Sequence, residues 1–386
     1  MAEAVRRFEV GFPDAGLLDL RRRLEQTRRP VPFAGDQEAG WSRGTDPGYL
    51  GALLDHWRDG FDWRAAERSL NRFAQYRASV GGFDLHFSHE PGQGERPLPI
   101  LLLNGWPSSV FEELPLIPLL AWPADPTEAF SVVAPSLPGF TLSHTAGGPR
   151  PTVAGAAAAL HELMTTVLGY ERFAVMGGDV GASLTSRLAF SHDKSVLGVF
   201  YTFLSAGLGP ETAAGLGAAG DRFGRELEEW RRDESGYVAI QGTKPATLAD
   251  GLADSPAGLA GWLAEKMIGW SDRSGATENM FTDDDVLANV TLYWLTGSIG
   301  ASFWPYWARA HGDWSAQELL SRGERLRPPA AYALSPADII RAPREVAERF
   351  LDLRRFTELP AGGHFPSFEM PSALAGELCA FFRSLR

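Results

Sequence analysis

One turn constrains this chain more than any other feature. Phe173 to Met176 is a short apolar run that reads as a buried strand, and a helical pattern begins at Ala182. Between them stand Gly177, Gly178, Asp179, Val180 and Gly181. A strand that becomes a helix within so few residues strains its apex residue, and flanking side chains larger than hydrogen collide there. The fold must therefore deliver Asp179 to the end of a buried strand and the start of a helix, where the helix dipole favours an anion. A helix-capping Asp is a common structural device, so the turn alone leaves a structural and a catalytic reading open.

The surrounding pattern supplies the architecture. Leu98 to Asn104, Phe130 to Ser136 and Val196 to Leu204 are nearly continuous apolar runs that end in loops, and Val153 to Leu168 has helical spacing. Apolar strands alternating with helices indicate a parallel sheet covered on both faces. The alternation breaks over a helix-rich, Trp-rich stretch from Gly207 to about Gly312, then resumes with a strand at Ala330 to Pro336, a helix from Asp338, a strand at Arg354 to Pro360 and a last helix from Pro371. Upstream, Leu17 to Arg28, Pro47 to Asp59 and Trp63 to Phe73 predict helices, and Tyr76 to Glu90 predicts a hairpin turning at Gly81-Gly82. The class is α/β: an α/β-hydrolase fold with a mostly parallel sheet, a helical lid insertion and a helical N-terminal extension. The corresponding division is 1–75 for the N-terminal region, 76–204 and 313–386 for the two parts of the core, and 205–312 for the lid.

Composition narrows the partners. A net charge of −12 among 386 residues argues against a nucleic-acid surface. The single cysteine, Cys379, excludes an internal disulfide and reads as a buried structural thiol. No signal-peptide block opens the chain and no run approaches the ~18 apolar residues of a membrane span, so a cytoplasmic protein without a membrane partner is expected. There is no His-Glu-x-x-His and no Cys/His cluster, so neither metal nor cofactor is expected. Twelve Trp and 23 Phe are many, and large aromatics line pockets for apolar ligands as well as filling cores.

If Asp179 is a nucleophile, its chemistry is restricted. Carboxylate attack on an ester or amide would give an anhydride, whereas attack on a saturated carbon gives an alkyl ester that water can cleave. Cleavage needs a base, an orienting acid and an oxyanion hole, and in this fold they follow in the order nucleophile, acid, histidine. His364, in the Gly-rich loop between the last strand and last helix, is the histidine so placed. The other histidines, among them His56, His86, His161 and His192, read as surface or hairpin residues. Asp338 follows the penultimate strand, with Glu345 and Asp352 also in the region. Backbone N–H groups of Trp106, in Asn104-Gly105-Trp106-Pro107, and of Val180 are positioned as the oxyanion donors.

With these residues in view, the chain resembles the epoxide hydrolases of the microsomal and juvenile-hormone type. The resemblance runs nearly end to end, through GWSRGTDPGYL, LLLNGWPSS, VVAPSLPGF, GGDVGA, ESGYVAIQGTKPATLADG, LYWLTGSIGASFWPY and AGGHFPSFEMP. It implies that the lid tyrosines Tyr237 and Tyr306 hold the epoxide oxygen, and it supports Asp338 as the acid. It further implies a soluble bacterial enzyme that converts an apolar or aryl epoxide and water to a vicinal diol, with relatives that often pair as homodimers and similar bacterial enzymes in secondary metabolism, including on enediyne precursors. Trp106, Gln241, Trp304 and Phe365 are the expected pocket residues. Two departures stand out. Asn104 replaces the usual His of the oxyanion loop, which predicts altered loop packing, and Val180 replaces a frequent Trp, which predicts a smaller pocket wall.

Three rival readings are weaker. A haloalkane dehalogenase shares the nucleophile and base, but Val180 cannot cradle a halide as Trp does. The literal GxGxxG at Gly215 to Gly220 lies far from a tight strand-to-helix turn, and reads instead as a flexible lid entrance. A non-catalytic binding protein on the same fold would not need the full set of Asp179, Asp338, His364 and paired tyrosines.

Overall fold

The computed structural model describes residues 5–31, 40–205 and 212–386. Among the described residues nine strands form one sheet: β1 (Arg6–Phe8), β2 (Gln75–Val80), β3 (Phe83–Glu90), β4 (Leu98–Leu103), β5 (Phe130–Pro135), β6 (Phe173–Gly177), β7 (Val196–Tyr201), β8 (Leu326–Leu334) and β9 (Leu351–Glu358). Their spatial order is β1-β2-β3-β5-β4-β6-β7-β8-β9. Pairing is antiparallel from β1 through β3 to β5 and parallel from there to β9. The β2–β3 hairpin turns at Gly81 and Gly82, whose φ values of 55° and 82° suit a turn needing two positive-φ residues. The central strands β4, β5 and β6 are buried almost throughout, as both covered faces require.

The family of folds expected from the alternating pattern is the one observed, an α/β-hydrolase sheet flanked by helices. Between β7 and β8 the helices Gly217–Asp233, Gly236–Thr243, Pro245–Asp254, Pro256–Gly269, Asp283–Thr296 and Trp304–Ala310 cover the carboxyl ends of the parallel strands. The opening residues of the expected insertion, 206–211, lie outside the described residues. Gly217, the middle glycine of the GxGxxG, has φ 57° and begins a helix, so that stretch is largely helical where a flexible entrance was expected. In the N-terminal part, helices Asp14–Glu25, Pro47–Asp59 and Trp63–Asn71 are laid against the lid, where the indole of Trp57 donates to Thr291 Oγ1 at 2.9 Å. Asp46 and Asp62 cap two of those helices by accepting from Tyr49 N and Arg64 N.

Several local expectations are corrected. Asp338 does not start a helix; it sits in a turn, and the helix begins at Arg344, after Pro343, which fixes φ and supplies no N–H. His86 lies on β3, as a hairpin residue should, but is fully buried between Ser136 Oγ at 3.0 Å and Gln75 Oε1 at 2.9 Å. Burial pushes its pKa down to about 3, so it is a neutral structural imidazole. Cys379 is a free thiol at the margin of the core, only partly buried. Among the described residues no helix is long and apolar enough to cross a membrane.

Candidate active site

The elbow forms as its small residues require. Asp179 adopts φ 47°, a strained value for a residue with a side chain, and the helix Asp179–Ser191 starts on it. A Cβ at Gly181 would lie 2.0 Å from the carbonyl oxygen of Leu103, and one at Gly105 would lie 2.5 Å from Asp179 Oδ1. Those two glycines let β4, its following loop and the elbow close on each other. The backbone N–H of Trp106 then donates to Asp179 Oδ1 at 2.9 Å. Val180, the second expected donor, directly follows Asp179 in the first turn of the helix.

His364 and Asp338 meet beside Asp179. His364 Nδ1 is 2.7 Å from Asp338 Oδ1, and His364 Nε2 is 3.6 Å from Asp179 Oδ2. Burial by itself would depress the imidazole pKa. The charge and hydrogen bond of Asp338, with the nearby carboxylate of Asp179, outweigh it and raise the value to about 10. Burial raises the carboxyl of Asp338, against the charge and hydrogen bond of His364. Glu345 and Asp352, also in the region, belong to the following helix and to β9.

The loop carrying His364 is clamped to the lid segment at Trp270. His364 N donates to Trp270 O at 2.9 Å, Gly362 N to Asp272 Oδ2 at 3.0 Å, and Asp272 N to Glu369 Oε1 at 3.2 Å, while Gly363 N also donates to Glu369. Asp272 and Glu369 were not legible as site residues, because their role is to bind backbone amides of another segment.

Tyr237 and Tyr306 project from the lid helices Gly236–Thr243 and Trp304–Ala310. Their rings are 5.8 Å apart at 74°. Trp106 stacks on Tyr237 at 5.3 Å and meets Tyr306 edge-on at 5.9 Å. The Tyr306 hydroxyl is buried and makes no hydrogen bond among the described residues. Burial, and secondarily the negative charge of Asp179, raise both phenol pKa values, so both stay protonated donors at neutral pH. Beside them a cavity of about 430 Å³ is lined by Asp179, Val180, Phe203, Tyr237 and Tyr306, among others. Val180 gives this wall a small side chain, as its substitution for Trp predicts.

The expected pocket residues fare differently. Gln241 is fully buried, with Oε1 accepting from Trp262 Nε1 at 3.1 Å, and does not line the cavity. Trp304 stacks on Trp307 at 4.5 Å and under Arg150, away from the cavity. Trp106 and Phe365 line a second, smaller space that also borders Asp179, shared with Asn104, Ser108, Glu112 and His364. Its polar carboxylates went unread, although Glu112-Glu113 stands out in the sequence between Phe111 and Leu114. Among the described residues no cluster of His, Cys, Asp and Glu could hold a metal ion.

A carboxylate at the elbow of an α/β-hydrolase sheet, with an imidazole and a second carboxylate beside it, is the arrangement of a hydrolase of that class. Similarity to known proteins narrows the class. The family model described as epoxide hydrolase N terminus matches residues 5–113, extending past the helical region into β4 and the loop after it. A Stigmatella aurantiaca sequence provisionally named an epoxide hydrolase is 38% identical over 98% of this chain and 85% of its own length. Epoxide hydrolase 1 of Oryctolagus cuniculus is 31% identical over 98% of this chain and 89% of its own. The structure of Aspergillus niger epoxide hydrolase superposes with a TM-score of 0.87 at 27% identity, covering 100% of this chain and 97% of that one. The chain belongs to the epoxide hydrolase family, in the branch that includes the microsomal and juvenile-hormone enzymes. It is an enzyme of the hydrolase class, and the substrate and water of such an enzyme are an epoxide and H₂O.

Proposed function

We propose that this enzyme converts an apolar or aryl epoxide to a vicinal diol through an alkyl ester on Asp179. The observation that carries the reading is the position of Asp179 between two groups of partners. Its Oδ1 is held by Trp106 N–H, and its Oδ2 lies toward His364. The buried phenols of Tyr237 and Tyr306 stand at the cavity that Asp179 lines.

In the first step Oδ2 attacks one ring carbon from the side opposite the C–O bond that breaks. Tyr237 and Tyr306 hydrogen-bond the epoxide oxygen, and one of them donates a proton to it as charge develops. Esterification removes the negative charge of Asp179, which is one of the influences holding His364 protonated. The imidazole pKa therefore falls as the ester forms; His364 releases its extra proton to solvent, the neutral ring is the base of the second step, and the proton is regained once Asp179 is again a carboxylate. In the second step His364, oriented by Asp338, takes a proton from water while the water oxygen adds to Cγ of Asp179. The oxyanion forms on Oδ1, where Trp106 N–H already donates and Val180 N–H adds a second donor. Collapse breaks the bond to the alkyl oxygen, which takes the proton back from His364. Asp179 is left as a carboxylic acid, whose proton replaces the one given by the tyrosine.

A dehalogenase reading is disfavoured on the same ground: Val180 offers no indole to a halide, and the unpartnered Tyr306 hydroxyl fits a leaving group that accepts a proton. The test is diol formation from styrene oxide by the wild type and by Asp179→Ala. The wild type is expected to form phenylethanediol, and loss of the nucleophile to lower kcat/KM by at least about 10⁴-fold. Undiminished turnover by the variant would contradict the reading.

A further inference from the structure

The lid-side cavity of about 430 Å³ holds a cation that the ester mechanism does not use. Arg309 lines it together with Asp179, Tyr237 and Tyr306, and Asp179 is the one carboxylate in that lining. Arg309 follows Tyr306 by about one turn on the helix Trp304–Ala310, so the two side chains leave the same face. Its place in the last turn suits a cation, because the helix carbonyls end there. That accounts for a positive charge at the helix end, and not for its standing in the cavity wall.

Two observations set Arg309 apart from an ordinary surface arginine. The residue is exposed, yet the protein around it desolvates the guanidinium and pulls its pKa below the usual arginine value, against the influence of Tyr306 and the charge of Asp179. A group that is accessible and desolvated at once lies in a concavity. Arg309 also makes no hydrogen bond or ion pair among the described residues, unlike Arg231, the second arginine of the lining, which is already partnered.

We infer that Arg309 is a specificity residue that selects epoxides carrying a carboxylate on the part of the molecule away from the oxirane. The inference rests on the reading of this cavity as the epoxide site. The guanidinium presents a planar fork of donors that matches a carboxylate, and a desolvated cation without a counter-charge gains more from one than a cation in water does. The demand grows as the reaction proceeds. Ester formation neutralises Asp179, and the lining then holds cations and no anion unless the substrate supplies one. The apolar body between oxirane and carboxylate is met by Val180, Phe203 and Ile340 of the same lining.

The test compares pairs of epoxides that differ in charge and little else. Para-carboxystyrene oxide and the longer para-oxiranyl phenylpropanoate are each set beside the neutral analogue with an isopropyl group in place of the carboxylate. Wild type is expected to favour the carboxylate of at least one pair by roughly 10- to 100-fold in kcat/KM, the range for one charge-assisted pair in a desolvated site. Arg309→Met should lose that preference through KM, while its kcat/KM for the neutral partners stays within about 3-fold of wild type. Arg309→Lys keeps the charge without the planar fork and should retain part of the preference. Equal losses on charged and neutral substrates in Arg309→Met would place Arg309 with the two phenols and overturn the inference, as would a wild type that favours neither carboxylate. Calorimetric titration with para-isopropylbenzoate, which has no epoxide, separates this outcome from failure of the functional reading. Binding to wild type but not to Arg309→Met, with no epoxide opened by either, would leave the anion site standing and overturn the epoxide reading beneath it.

Discussion

The two spaces that border Asp179 differ in character. The lid-side cavity is broad and lined by aromatic rings with Arg309 and several serines among them, and it holds two phenols whose protons are kept by burial. The side facing His364 and Glu112 is narrow and lined by carboxylates, hydroxyls and an imidazole, several with unsatisfied atoms. An alkylation needs an apolar receptacle and a proton donor for the leaving oxygen. A hydrolysis needs one water, held against a base. Under the proposed mechanism one carboxylate serves two reactions with different helpers, the lid phenols for the first and His364 for the second, and damage to one set should leave the other reaction running.

The contrast can be broken most severely at His364. Replacement by Gln is expected to leave alkylation in place while ester cleavage falls by about 10³- to 10⁴-fold, the scale of loss when a catalytic base is removed. Intact-protein mass spectrometry after mixing with styrene oxide should then show the enzyme accumulating as its covalent adduct. An adduct that turns over at the wild-type rate would mean that the faces are not divided in this way. The complementary change, Tyr306→Phe, removes a donor on the lid side only. Ester formation is expected to slow by about 10²- to 10³-fold, as for loss of one preorganised donor, with ester decay unaltered when the two are resolved by rapid quench. Slowing of decay by the same factor would place Tyr306 in both steps and blur the comparison.

How much of this was legible in the sequence follows from where each signal resides. The elbow could be read because its constraint is local: five consecutive residues, a strand before and a helix after, and glycines whose Cβ atoms would collide. Asp338 and His364 could be read from their order along the chain, and the structure brings them to 2.7 Å. Tyr237 and Tyr306 carry no local mark, since a tyrosine in a Trp-rich helix is ordinarily packing, and only resemblance singled them out. The pocket residues were the weak point. Residue type and neighbourhood tell that a side chain will be covered but not by what, so Gln241 went to Trp262 and Trp304 to Trp307. The helix expected at Asp338 failed because Pro343 sets a better start, at Arg344.

The central claim, a covalent ester on Asp179 cut by water at its carbonyl, is tested most directly by following oxygen. A single turnover of styrene oxide with excess enzyme in water enriched in heavy oxygen would be analysed for label in the diol and in the Asp179 peptide. The account predicts that the diol takes its new oxygen from the protein and remains unlabelled, while the heavy atom stays in the Asp179 carboxylate. Heavy oxygen appearing directly in the diol, with none in Asp179, would show that water attacks the epoxide itself and would contradict the account.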